Sequence, residues 1–299
     1  MSLPKTIAEY LEQLKAELAG SDPALLQDAL YDAEEYLRSE LAAHPREGEE
    51  ALLARIASSY GRPAEVADIY RDTEATVIRA LRPPPPKRRD SAFGQFFGVV
   101  TDARAYAALL YMLLAGLTGT LYFTWAVTGI ALSVGLSLTI IGIAFVILFM
   151  ATVRVISLVE GRVVEVMLGE RMPRRPAYPA PASGILERIG QLFTDPRTWG
   201  TLIYLLLMLP LGLLYFGVAV TLLSAGVALA GAPLLAMLSG GHVMLGPVSG
   251  AELGLLTVPI FAAMSAIGFL LLFGLLHLAR GVAHVHGAIA KNLLVKWGE

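Results

Sequence analysis

No charged residue lies between Arg104 and Arg154. The interval is long enough for two apolar helices of ~20 residues joined by a tight turn, expected near Gly129 and Gly135. A second uncharged stretch covers 198–251, and after Glu252 an apolar run continues to Ala279, which places helices three and four there. A mean hydropathy of +0.62, with 56% hydrophobic and 16% charged residues, exceeds what a soluble core requires. The chain therefore reads as a multi-pass membrane protein.

Charge is unevenly divided. Up to Arg82 there are 16 acidic and 9 basic residues, leaving 9 and 14 of the chain's 25 and 23 for everything after it. An acidic head thus precedes a basic, apolar body. Neither the balance nor any interleaving of aromatic and basic residues points to nucleic acid as a direct partner. The absence of cysteine excludes disulfides, thiolate nucleophiles and cysteine-ligated metal.

The flanking arginines and lysines set the expected orientation. Arg104, Arg154, Arg162, Arg171, Arg174, Arg175, Arg197, Arg280 and Lys291 all fall on one side of the four spans, and the opposite loops hold no Lys or Arg. By the positive-inside rule both termini should be cytoplasmic. The first residues lack the basic-then-apolar order of a signal peptide, so the head should stay inside. Tyr106 and Trp199 would form an inner aromatic belt, with Tyr122, Trp125, Tyr215 and Phe216 at the outer one.

In the head, Ile7, Leu11, Leu14 and Leu18 recur at helical spacing before Gly20. Ser21 or Asp22 can cap a second helix with Pro23 at its first position and a stripe of Leu26, Leu30, Ala33, Leu37 and Leu41. A third helix is expected from about Glu47 to Ser59, and a fourth from Pro63. Four short helices can close a bundle over residues 1–81. Asp28, Asp32 and Glu35 share the expected outer face of the second helix and repel each other unless something basic answers them. They read as either a solvated face or a docking surface for a partner. A linker at 82–92 follows, in which four prolines at 83–86 predict a polyproline II strut. Lys87, Arg88 and Arg89 then suit anionic lipid headgroups.

The body, residues 93–299, repeats itself. VVTDARAYAALLYMLLAGLTGTLYF at 99–123 aligns without a gap to LFTDPRTWGTLIYLLLMLPLGLLYF at 192–216, an offset of 93. Asp102 matches Asp195, Tyr111 matches Tyr204, Gly119 matches Gly212, and Tyr122 matches Tyr215. Near the ends of the units, 154–161 matches 280–287, which sets Glu160 against His286. Two tandem parallel repeats, about 93–169 and 184–295, are expected, the second carrying an insertion with His242 and Glu252. The fold class is all-α: a small cytoplasmic helical bundle plus a four-helix transmembrane domain.

Two resemblances follow. The head, with Tyr10-Leu11-Glu12-Gln13-Leu14, Asp32-Ala33-Glu34-Glu35-Tyr36-Leu37 and Gly61-Arg62-Pro63-Ala64-Glu65-Val66-Ala67, resembles the HAAS (DUF1700) helical signalling domain of bacteria. Its Arg62 departs from a small capping residue at that place. The body, with Asp195-Pro196-Arg197-Thr198-Trp199, Leu209-Pro210-Leu211-Gly212 and Ala232-Pro233-Leu234-Leu235, looks like the bacterial "Sensor" membrane domain. Together they imply a transducer coupling a membrane or envelope cue to a PadR-type winged-helix regulator, without catalytic residues or cofactors.

Chemistry is sparse on this reading. His277, His284 and His286 lack converging partners, so packing or headgroup contact is preferred to a metal site. No nucleophile–base pair is evident, and no enzyme is expected. Ala115 with Gly119, and Gly212 with Gly217, permit close helix approach within the chain or across a homodimer. Transport or lipid handling is the rival function. Transport would require ionisable residues buried in the spans, and none is expected mid-span. From position alone, Tyr122, Trp125, Tyr215, His242 and Glu252 are candidates for sensing a ligand.

Overall fold

The structure is a computed structural model that describes residues 4–81, 92–175, 190, 194–238 and 257–296. Every element among the described residues is helical. Four helices form the head: α1 Ile7–Glu17, α2 Pro23–Ala43, α3 Glu49–Ile56 and α4 Pro63–Leu81. The body contains the short α5 Ala92–Phe97, then α6 Ala103–Leu136, α7 Ile140–Leu168, α8 Pro196–Leu238 and α9 Thr257–Lys291. The last four are long and apolar enough to cross a membrane.

Local chemistry sets the head's helix starts. Thr6 Oγ1 accepts from Glu9 N at 3.1 Å, and Asp22 Oδ1 accepts from Ala24 N at 2.9 Å, so Asp22 rather than Ser21 caps α2. Gly61, at φ +105°, turns the chain into α4. Arg62 offers no capping side chain there, yet Glu65 reaches back to accept from Arg62 N at 3.0 Å, which is half of a capping box. The core joins Ile7, Tyr10, Leu14 and Leu18 to Ala29, Ala33, Leu37, Leu52, Ile56 and Val66. Leu26, Leu30 and Leu41 lie at its margin, because α2 turns Ala29, Ala33 and Leu37 fully inward.

The turn between the first two spans comes later than expected. Residues Gly129 and Gly135 are inside α6, where Gly129 receives the Phe149 ring. The break is made by hydroxyls: Ser137 Oγ donates to Val134 O at 2.8 Å, and Thr139 Oγ1 accepts from Gly142 N at 3.0 Å to cap α7. Pro210 and Pro233 both lie within α8, which continues through them. The expected insertion loop with His242 and Glu252, and the strut with Lys87, Arg88 and Arg89, lie outside the described residues.

The most extensive helix contact is α6 against α8, with α7 packed on α6 and α9 on α8. The central crossing depends on two glycines. A Cβ on Gly119 would stand 2.2 Å from the Met208 carbonyl oxygen, and one on Gly212 would stand 2.1 Å from that of Ala115. Gly119 and Gly212, like Ala115 and Met208, are 93 positions apart, so the contact is reciprocal. The same reciprocity holds at the helix starts. Asp102 and Asp195 cap α6 and α8, accepting from Arg104 N and Arg197 N at 3.0 Å. Arg154 of α7 then pairs with Asp195 at 3.2 Å, and Arg280 of α9 with Asp102 at 3.4 Å.

Candidate functional site

Each central helix carries a matched pair of tyrosines, one on either side of the glycine crossing: Tyr111 and Tyr122 on α6, Tyr204 and Tyr215 on α8. Tyr111 and Tyr122 are eleven residues apart on α6, about 16 Å along its axis, and their hydroxyls converge on one carboxylate. Tyr111 lies 3.0 Å from Glu160 Oε1, and Tyr122 donates to Oε2 at 2.9 Å. Tyr204 of α8 lies 2.7 Å from Oε1. His286 of α9 completes the cluster: its Nε2 stands 2.6 Å from the Tyr111 hydroxyl and 3.0 Å from that of Tyr204, and its Nδ1 is 3.4 Å from that of Tyr215.

Glu160 is 1% exposed and His286 0%, with Tyr111 and Tyr204 equally enclosed. Both ionisable residues lie within spans, Glu160 in Ile140–Leu168 and His286 in Val258–Val295. The helices run on past the uncharged stretches from which the spans were expected, and this extension brings both residues into them. A carboxylate is sustained in such surroundings only by donors, and the phenols supply them. Each phenol has one proton, so Tyr111 and Tyr204 cannot both donate to Glu160 and also donate to His286. With a proton on Nε2 the imidazole donates to a phenol oxygen and the phenol to Glu160. With Nε2 bare, the two phenols divide between the acceptors. Only the first arrangement is a continuous donor chain, from the imidazole through Tyr111 or Tyr204 to Glu160, which is the geometry of a proton relay. It is also enclosed, so no solute reaches it until helices separate.

The other histidines go elsewhere. His277 Nε2 lies 3.0 Å from the Phe96 carbonyl, its ring stacked on that of Phe96, and His284 is exposed. Of the residues chosen from position, Tyr122 and Tyr215 belong to the buried cluster. Trp125 stands apart, donating to Thr152 Oγ1 at 3.0 Å.

The second concentration of charge lies where head meets body. Asp28 is 6% exposed, not on a solvated face. Its Oδ2 accepts from Arg171 at 2.9 Å, and its Oδ1 from the backbone N of Arg174 and Arg175 at 2.6 and 2.8 Å. Gly169, at φ +80°, ends α7 and turns this basic segment under the head. Arg171 also bonds Glu74 of α4 at 2.7 Å. Burial opposes the Arg171 charge, but Glu74 and Asp28 outweigh it and its pKa rises. Arg175 lies 3.1 Å from Asp32 Oδ1, off the line of a hydrogen bond, and its guanidinium covers the Tyr31 ring. Asp32 Oδ2 accepts from Tyr70, whose pKa is raised by burial and then by Asp32. Gln27 donates to Arg175 O at 2.7 Å and accepts from Arg197 at 3.1 Å, while Lys291 at the end of α9 pairs with Asp22 at 2.5 Å. Glu35 alone of the three carboxylates remains exposed.

A family model described as "Putative sensor" matches residues 111–294, more than half of the chain, from the first tyrosine of the cluster to the end of the last span. No curated protein and no solved structure matches the chain.

Proposed function

Because the chain belongs to this sensor family, we propose that it is a bacterial inner-membrane signal transducer in which the body detects a membrane or envelope cue and releases the head to a cytoplasmic regulator. The observation that carries this reading is the docking of Asp28 into the segment between α7 and α8. The surface that could bind a basic partner is occupied from within the chain, so partner binding and docking compete. A cue that moves α7 relative to α8 or α9 would pull Arg171, Arg197 and Lys291 apart and free Asp22, Asp28 and Asp32 together.

In this reading the head is a HAAS-like domain, its partner a PadR-type winged-helix protein, and both termini are cytoplasmic. The residue groups 93–169 and 184–295 are tandem copies, a relation supported by the reciprocal contacts of positions 93 apart. Those contacts run in opposite directions along α6 and α8, Gly116 meeting Phe216 and Gly119 meeting Met208. The axis relating the copies therefore crosses the helices and is not the axis along the membrane normal expected of parallel repeats. Lys87, Arg88 and Arg89 meet anionic lipid next to the head. Trp125, His242 and Glu252 belong to the outward side where a cue would arrive. No catalytic step is assigned.

The test is capture of a regulator by full-length protein from native lysate. Arg171→Gln undocks the head without altering its acidic face, and should capture more winged-helix regulator than the wild type. Adding Asp28→Lys, Asp32→Lys and Glu35→Lys should abolish capture. Equal capture by all three proteins contradicts the reading.

The enclosed Glu160–His286 relay favours a second reading, proton-coupled transport. Reconstituted liposomes decide between them: transport requires a proton flux lost in Glu160→Gln, whereas a sensor leaves the gradient intact.

A further inference from the structure

Beside the docking contacts is a cavity of about 80 Å³ whose walls include Gln27 of the head, Arg154 of α7, and Asp195, Arg197, Thr198 and Thr201 at the start of α8. It is more than twice the ~30 Å³ occupied by one liquid water. Thr198 is 4% exposed, and its Oγ1 is buried with no hydrogen-bond partner. Such a hydroxyl costs stability unless something binds it. The fold does not demand one here. The matching residue, 93 positions earlier, is Ala105, buried against Val99 and Leu276.

The charges around this hydroxyl favour an anion. Among the described residues Arg154 gives one N–H to Asp195 and Arg197 one to Gln27, which leaves each guanidinium with further donors. Two cations face one carboxylate, and the N-terminus of α8 adds its dipole. A tetrahedral oxyanion can accept from two guanidinium groups and a hydroxyl arriving from different directions. Next to the cavity, Trp199 is 49% exposed, as suits a residue at a membrane boundary.

We propose that this cavity binds a phosphate-bearing anion, with Arg154, Arg197 and the Thr198 hydroxyl as its donors. The chemistry is shared by a phospholipid headgroup and by free phosphate. Because Gln27 forms part of the wall and already bonds Arg197, the bound anion touches head and body at once.

The test uses the full-length chain, purified in neutral detergent and stripped of lipid. Inorganic phosphate is titrated calorimetrically, and phosphatidylglycerol retained per chain is counted by native mass spectrometry. One ligand per chain is expected. Affinity should fall at least about tenfold in Arg197→Gln and in Thr198→Val, and stay unchanged in Arg104→Gln, the matching arginine of the first half. Thr198→Val keeps the side chain's shape and preserves the test if Arg197→Gln unfolds. Binding of phosphatidylglycerol alone assigns the site to a headgroup. Displacement of that lipid by phosphate assigns it to the soluble anion. If neither binds, or the variants bind like the wild type, the proposal is overturned.

Discussion

Glu160 is held by phenols from two different helices, so its surroundings depend on how α6 and α8 sit against α7. Removing one donor from an enclosed acceptor exposes the full desolvation cost. Tyr204→Phe should therefore destabilise the protein by about 1–3 kcal/mol. Tyr215→Phe, whose hydroxyl is at 3.4 Å, should have a smaller effect. Thermal unfolding of both variants in detergent checks the order, and equal melting temperatures would speak against the network. The sequence aligned the tyrosine pairs, and Glu160 with His286, but alignment does not reveal that matched residues touch. They could have been found by asking which polar side chains are kept at equal offset inside otherwise apolar spans. Asp28 was placed on an outer face because helical periodicity locates the head's own core and says nothing of a second surface covering the opposite side.

At the scale of elements, the α6–α8 crossing fixes where the tyrosines meet. Gly119 and Gly212 each face a carbonyl of the other helix with no space for a Cβ. Gly119→Val should separate the helices, lower the melting temperature by more than any single tyrosine variant, and expose body helices to protease. Gly135→Ala, with nothing within 4 Å of the new Cβ, should be neutral or stabilising by up to about 1 kcal/mol. Limited proteolysis of the two variants distinguishes a packing glycine from an incidental one. The apolar runs announced four spans because hydrocarbon tolerates little else. They did not locate the first turn, since Leu138 within it is as apolar as the helices on either side and the break depends on the hydroxyls of Ser137 and Thr139. Glycine misled there: in these spans it marks close approach, as at Gly129 against Phe149.

At the scale of the whole molecule, the head sits on the end of the body where α7 finishes, α8 begins and α9 finishes. Three membrane helices thus share one acidic surface, and relative movement of any pair weakens the docking. The Asp28–Arg171 pair is nearly enclosed, and losing one partner of such a pair costs about 3–5 kcal/mol. The chain's lack of cysteine permits a direct measurement. Spin labels are attached to full-length protein in lipid nanodiscs at Ser39→Cys in α2 and Val166→Cys in α7, both exposed. Electron–electron resonance then reads the distance between head and body. A single narrow distribution is expected with Asp28 and Arg171 intact, and a longer, broad one in Asp28→Asn and Arg171→Gln. The same narrow distribution in all three proteins would contradict the claim that this ion pair holds the head to the membrane body.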